Sequence, residues 1–355
     1  VTARPAWLDH LLSRIASAGP PRPFAEDDTG FDWAWFAARR PRAAAAAAAG
    51  EPFSAEWLAA HAEPLWEVRR QLADDASRSL FDLHLVLRCV GPARCRFARQ
   101  EPTDWLTIHR RVPFQHENLP SEYLGLPLEL FEVSVAESNE RAQVVTTAMQ
   151  IGLCNAFRQY VPVREGIALG PRPTDVVLDC GSCIGEFAAL FAAVVGPTGA
   201  VHLFDPVPLH LRFCRHQAAL NPALAGVLRP VQAAVGAMTA KVTGGTSDVD
   251  RISPGGLQVD AYDQITLDDY VSQSSLTRVD FVKMDIEGAE PDALVGARGI
   301  IAQHRPRLAV SAYHRAEHLW EIPRLILAAH PGYRLFFGHH MPVKWESVFY
   351  AVQAP

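Results

Sequence analysis

Lysine is scarce in this chain: of 33 basic residues only Lys241, Lys283 and Lys344 are lysines, and the rest are arginines. Against 39 acidic residues this leaves a formal charge of -6, with no long basic run. A surface that tracks phosphates needs clustered positive charge, so no nucleic-acid partner is expected. Long apolar runs are also missing. The most apolar stretch, Phe187 to Gly196, is about ten residues where a membrane span needs roughly 20, so no span is expected. The first residues, Val1 to His10, show no apolar segment behind a basic start, and no secretory leader is expected. Cysteine is too sparse for a disulfide scaffold: Cys89, Cys95, Cys154, Cys180, Cys183 and Cys214 are expected as free thiols, which places the chain in the cytoplasm. Arginine in place of lysine, with abundant alanine, suits a GC-rich bacterial genome.

What is present is 355 residues, 49% hydrophobic and 20% charged, enough for two ordinary domains with a buried core. Residues 1–155 read as a mainly helical accessory domain, with amphipathic stretches over Glu56 to Val68 and Ala76 to Val90. Alanines 43–49 favour helix by propensity, and Trp33, Trp35, Phe36, Trp57 and Trp66 read as core on such helices. This extension suits either a lid over a substrate or the face of a homodimer. A hinge punctuated by Gly166, Gly170, Pro171 and Pro173 follows, and a second domain spans 160–355.

In that second domain short β-rich runs alternate with helical ones. The strands are Val176 to Asp179, Ala200 to Asp205, Leu228 to Val235, Val279 to Asp285, Arg307 to Tyr313, Tyr333 to Phe337 and Ser347 to Val352. The helices are Glu186 to Val195, Pro208 to Leu220, Pro291 to Gln303 and Leu319 to Ala329. Alternation of this kind predicts an α/β fold with a doubly wound, mostly parallel sheet. No helix separates the last two strands, so they should form an antiparallel C-terminal hairpin.

Candidate functional residues cluster at the ends of these strands. The first runs into Asp179-Cys180-Gly181-Ser182-Cys183-Ile184-Gly185, which lacks the third glycine of the dinucleotide fingerprint. A nicotinamide dinucleotide needs close backbone approach to a pyrophosphate, whereas S-adenosylmethionine carries an amino-acid tail, a sulfonium and a ribose. Two glycines and a strand-end acid suit the latter. Asp205, twenty residues past Gly185, ends the second strand, where a carboxylate can accept from ribose hydroxyls. The fourth strand delivers Asp285, Glu287 and Glu290 within six residues, a pattern that fits either function or the attraction of a helix N-terminus for acids. Thr266-Leu267-Asp268-Asp269-Tyr270 leads toward that strand and reads as structural. His314 ends the fifth strand, and His339-His340 follow the sixth; a histidine so placed can act as a general base toward a hydroxyl.

These motifs in order, with Phe204-Asp205-Pro206, Phe281 to Glu290, Tyr313-His314, Leu319 to Pro323, His339-His340 and Trp345 to Ala351, resemble the FkbM family of S-adenosylmethionine-dependent methyltransferases over roughly residues 160 to 352. The resemblance implies a class I methyltransferase (Rossmann-like) fold and O-methylation of a hydroxyl on a sugar, glycan or polyketide-type natural product. By position it implies that Asp179, Gly181, Ser182 and Gly185 hold the methionine end, Asp205 the ribose, and the backbone near Ala233 and Ala234 the adenine. Family members more often carry glutamate where Asp205 stands. For the base, His314 comes first, then Glu287 and Asp285, then His339 and His340.

Cys180-x-x-Cys183 lies inside the cofactor loop, and the remaining cysteines are too scattered for a four-thiolate zinc site. His314-Arg-Ala-Glu-His318 fits a zinc-hydrolase pattern, but the apolar run before it makes His314 a strand end rather than a helical ligand. A divalent ion at Asp285, Glu287 or Asp268 is compatible with carboxylate chemistry but not favoured, and no metal ligand is assigned. The alternative from another class is a catalytically silent methyltransferase fold serving as a binding or scaffold protein.

Overall fold

The computed structural model describes residues 3–20, 38, 53–95, 105–136, 141–243, 261–341 and 343–353. Trp33, Trp35, Phe36 and alanines 43–49 lie outside the described residues. Seven strands form the central sheet: β1 (Val176–Cys180), β2 (Ala200–Phe204), β3 (Leu228–Val231), β4 (Phe281–Met284), β5 (Arg307–Ser311), β6 (Tyr333–His339) and β7 (Ser347–Gln353). Their spatial order is β6-β7-β5-β4-β1-β2-β3. All neighbours are parallel except β7, which runs antiparallel to both β5 and β6, so the C-terminal hairpin forms as expected. Both faces of the sheet are covered, which is why β2 and β4 are buried at every residue and read as unbroken apolar runs.

Helices Glu186–Val195 and Pro208–Leu220 have the expected limits. The helix expected over Pro291 to Gln303 is instead two, Glu290–Val295 and Arg298–His304, broken at Gly296. A Cβ at Gly296 would run into the carbonyl oxygen of Gly236, so the chain turns where its backbone meets a neighbouring loop.

The helical reading of the N-terminal part holds for Ala55–Ala60, Ala62–Gln71 and Asp75–Val90. Asp74 caps the last of these, accepting from Ser77 N at 2.7 Å. From Leu106 to Thr147 the chain forms β-structure instead: Leu106–Pro113, Glu122–Tyr123, Leu126–Val135 and Arg141–Thr147 pair antiparallel. The physical reason is period-two alternation, clearest in Phe131-Glu-Val-Ser-Val135, whose Phe131, Val133 and Val135 are buried on one face, while Leu126 and Leu128 before them are buried on the other.

This second sheet explains helix Glu186–Val195, which is buried at every residue after Glu186 and has no polar face. It lies between two sheets, sharing one cluster with Phe131, Val133 and Val144 of the small sheet and Val201, Leu203 and Phe281 of the large one. Helix Pro208–Leu220 holds the edge of the small sheet through paired amides. Gln217 accepts from Val145 N at 3.0 Å and donates to Val145 O at 2.8 Å; Asn221 does the same with Gln143 at 2.7 and 2.8 Å. The edge strand's open backbone groups are thereby paired.

On the opposite face, the N-terminal helices share a core with β6 and β7. Phe81 meets Phe337 edge-on at 5.2 Å, and Ser77 Oγ accepts from Phe337 N at 3.0 Å. Trp7 and Arg69 converge on the buried carboxylate of Asp82 at 2.7 and 2.8 Å. All six cysteines are unpaired. Among the described residues no helix is long and apolar enough to cross a membrane. Phe81, fully buried on that shared face, should cost ~3–5 kcal/mol when cut to alanine. Denaturant unfolding measures this, and a loss under ~1 kcal/mol would mean that the helix is only loosely attached.

Candidate functional site

The loop after β1 is built around a buried charge pair. Asp179 and Lys283 stand opposite each other in the register of β1 and β4, with Asp179 Oδ1 and Lys283 Nζ 3.1 Å apart. Both are almost wholly buried. Burial pushes the Asp179 carboxyl up, while at Lys283 the neighbouring Asp179 and Asp285 outweigh burial and raise the ammonium's pKa. Lys283 also donates to Gly181 O at 2.7 Å. Gly181 and Ser182 both donate their N–H to Phe204 O, at 2.9 and 3.0 Å, which ties the loop to the end of β2. Gly181 has φ +80°, and a Cβ there would collide with the carbonyl of Asp285.

A cavity of 750 Å³ opens beyond these strand ends, within the ~300–1,000 Å³ usual for small-molecule sites. Of the residues expected to hold cofactor, Gly181, Ser182, Asp205, Ala233 and Ala234 line it. Asp179 does not: it is fully buried with Oδ1 facing the Lys283 ammonium, so its part is to position the loop. Gly185 also lies outside the lining; with φ +82° and Cys214 against its α-carbon side, it serves the turn into the helix. Asp205 is well used already, accepting from Cys183 N at 3.0 Å, Val207 N at 2.9 Å and His210 Nδ1 at 3.0 Å. A carboxylate accepts about four hydrogen bonds, which leaves capacity for one ribose hydroxyl rather than two. Glu186, in the same wall, is half-buried, its Oε2 atom is enclosed without a hydrogen-bond partner among the described residues, and desolvation raises its pKa to about 7.

Across the cavity stands Asp285. Tyr160 donates to its Oδ2 at 2.9 Å and Tyr313 to its Oδ1 at 3.0 Å, so the carboxylate is held in one orientation. Nearby Glu346, bonded to Gln159, has its pKa pushed to about 8 by burial and by Asp285. Glu287 lines the cavity with a left-handed φ of +57°. His314 stands behind these carboxylates rather than at the cavity: Nε2 is 3.5 Å from Asp285 and 3.3 Å from Glu287, while Nδ1 is 3.0 Å from Glu290.

His339 and His340 do not reach the cavity. His339 is buried against His84, ring centres 4.8 Å apart. In His340, Nδ1 donates to Phe157 O at 2.9 Å and Nε2 accepts from Tyr350 Oη at 2.8 Å. The same hydroxyl accepts from Tyr160 N at 3.1 Å, so His340 supports Tyr160 and, through it, Asp285. The β6 strand buries both its faces, which turns two adjacent histidines inward.

Four cavity groups, Lys283, Glu186, Gln159 and Glu346, carried no sequence expectation, and neither did Tyr160, which reaches the site through Asp285. Lys283 had a signal, a lone lysine inside an apolar strand of a chain with three. Tyr160 had none, because it precedes Asp285 by 125 residues.

Residues 179–340 match the family model described as Methyltransferase FkbM domain. Comparison with curated proteins gives no match. Among solved structures, the crystal structure of Methyltransferase FkbM from Methylobacillus flagellatus KT is similar at 22% identity and a TM-score of 0.54, over 83% of this chain and 59% of that one. The chain thus spans less than two thirds of that relative, and the likeness establishes a class I methyltransferase, Rossmann-like fold. Fibrillarin of Aeropyrum pernix, with natively bound S-adenosyl-L-methionine, matches at 11% identity and a TM-score of 0.33, over 69% of this chain and 99% of that one. Precorrin-6y C5,15-methyltransferase of Geobacter metallireducens GS-15 matches at 14% and 0.33, over 52% and 84%.

Burial holds the pKa of His340 down to about 3, so it is neutral when folded, whereas an unfolded histidine takes up a proton below about 6.5. Its contribution to stability is therefore present above pH 6.5 and is lost as pH falls toward 3. A His340→Gln variant should be less stable at pH 7, with the gap to the parent shrinking by up to ~1.4 kcal/mol per pH unit below 6.5. Unfolding midpoints at pH 7 and pH 5 measure it; a gap independent of pH would contradict a neutral buried imidazole.

Proposed function

The chain carries an FkbM methyltransferase domain over residues 179–340, and on that premise we propose that it transfers the methyl group of S-adenosylmethionine to an acceptor hydroxyl. The observation that supports this best is a single cavity with a cofactor wall at the ends of β1 and β2 and an oriented carboxylate, Asp285, facing it. When bound, S-adenosylmethionine supplies an electrophilic methyl on a sulfonium. The chain's residues then have three tasks: to hold the adenosyl and methionyl ends, to place the acceptor oxygen in line, and to take its proton.

For the first task, Gly181 and Ser182 offer backbone at close range, Asp205 accepts from one ribose hydroxyl, and the backbone at Ala233 and Ala234 borders the adenine. The unpartnered Oε2 of Glu186 suits the methionyl ammonium, whose positive charge would bring that carboxyl back to its ionised form. Alignment of acceptor and methyl donor contributes most, roughly 7–11 kcal/mol in well-oriented reactions. Proton removal falls to Asp285 rather than to His314, because Asp285 lines the cavity and His314 stands behind it.

The acceptor wall comes largely from the first half of the chain: Tyr123, Leu126, Thr146, Met149 and Gln159 line the cavity. The accessory region therefore acts as a substrate wall or lid. Asp285, Glu287, Asp292 and Glu346 line the same space, and its lysine is already paired, so the acceptor is neutral or cationic rather than anionic. A polyhydroxylated sugar, glycan or polyketide-type product meets that requirement.

Two variants test this reading, with methyl transfer to a panel of hydroxylated glycans and polyketides followed by mass spectrometry. Asp285→Asn should lower turnover by ~10² to 10⁴-fold while adenosyl-ligand affinity is kept. Asp205→Ala should instead weaken that affinity ~10-fold or more. Undiminished turnover in Asp285→Asn would remove it as the proton acceptor.

A further inference from the structure

Behind Asp285 lies a cluster that methyl transfer does not use. Glu290 opens helix Glu290–Val295, His314 follows β5, and His318 opens helix His318–Ala329. Glu290 and His318 are 0% and 1% exposed. Glu290 Oε1 lies 3.0 Å from His314 Nδ1, and Oε2 lies 3.5 Å from His318 Nδ1. One donor atom from each of the three residues falls within 4.8 Å of the other two. Yet Glu290 Oε2 and both ring nitrogens of His318 have no hydrogen-bond partner among the described residues. Buried polar atoms left unpaired are costly and call for an unseen partner.

The donor set says what that partner is. Two imidazole nitrogens and one carboxylate suit zinc and its first-row neighbours rather than magnesium or calcium, which prefer all-oxygen shells. Tetrahedral bonds of 2.0–2.1 Å set ligand atoms about 3.3 Å apart, and the two carboxylate oxygens of Glu290 lie 3.0 Å from His314 Nδ1 (Oε1) and 3.5 Å from His318 Nδ1 (Oε2). The remaining nitrogen of His314, Nε2, faces Glu287 at 3.3 Å and Asp285 at 3.5 Å. A metal-bound imidazole usually donates its other N–H to a carboxylate, which fixes the tautomer. We infer that Glu290, His314 and His318 form a binding site for a divalent first-row transition-metal ion, zinc by its donor set.

The ion would join the loop after β4 to the turn after β5, directly beneath the carboxylates that face the cavity. The His314-x-x-Glu-His318 spacing supplies both histidines without forming the helical hydrolase pattern: Glu317 is exposed, and the third ligand comes from the first residue of helix Glu290–Val295. Its role is to hold the segment that presents Asp285 and Glu287.

The test is metal binding by the full chain, independent of turnover. After chelator treatment the protein is titrated with zinc chloride by calorimetry, and with cobalt(II) chloride while visible absorption is followed. The site predicts one equivalent of zinc and the intense visible bands of low-coordinate cobalt. His318→Ala and Glu290→Gln should each raise the zinc Kd by ~100-fold or more and abolish the cobalt bands, while His109→Ala leaves both unchanged. His318→Gln keeps the side-chain volume and decides the matter if the alanine variant does not fold by circular dichroism. Less than one equivalent bound by the parent, or parental affinity in His318→Gln and Glu290→Gln, overturns the site.

Discussion

One ion pair fixes the geometry on which the site depends. Lys283 and Asp179 face each other across the two central parallel strands, β1 and β4, whose other side chains are all apolar. Leaving either charge without its partner would cost about 3–5 kcal/mol, so the two strands are held in that register. The same ammonium holds Gly181 O, and Gly181 in turn packs on the Asp285 carbonyl, so the loop after β1 and the loop after β4 are set by one group. Everything at the cavity that needs a distance, from the backbone at Ser182 to the carboxylate of Asp285, is referred to this pair.

The first half of the chain is part of the same architecture. The small antiparallel sheet closes over helix Glu186–Val195, and the N-terminal helices close over β6 and β7. Neither face of the large sheet could be left open, because its helices and strands carry too few polar residues to meet water. The strand Arg141–Thr147, which packs on that helix, also carries Thr146 and Thr147 to the cavity, and this couples the packing of the accessory region to the shape of the cavity.

The large sheet was legible in sequence because its strands bury both faces and read as apolar runs between turn signals. Helices Glu186–Val195 and Pro208–Leu220 were legible to the residue, bounded by Gly185, Gly196 and Pro208. The small sheet was not: Leu106–Pro113 is exposed at every residue from Thr107 to Arg111, so it has no alternation to read, and strong helix formers stand upstream. At the site, residues on glycine loops and strand ends were recognisable, since chemistry and chain position coincide there. Tyr160 and Glu346 reach Asp285 only through tertiary folding, and no local pattern marks them. His339 and His340 show the converse, for two histidines together suggest chemistry while burial on β6 makes them neutral supports.

The central claim is that the cavity over β1 and β2 is an adenosyl site, and titration calorimetry of the full chain with S-adenosylhomocysteine, with NAD as comparison, tests it most directly. The account predicts one site of micromolar affinity or better for the adenosyl ligand and no heat from NAD. Absence of S-adenosylhomocysteine binding, or preferential binding of NAD, would contradict it.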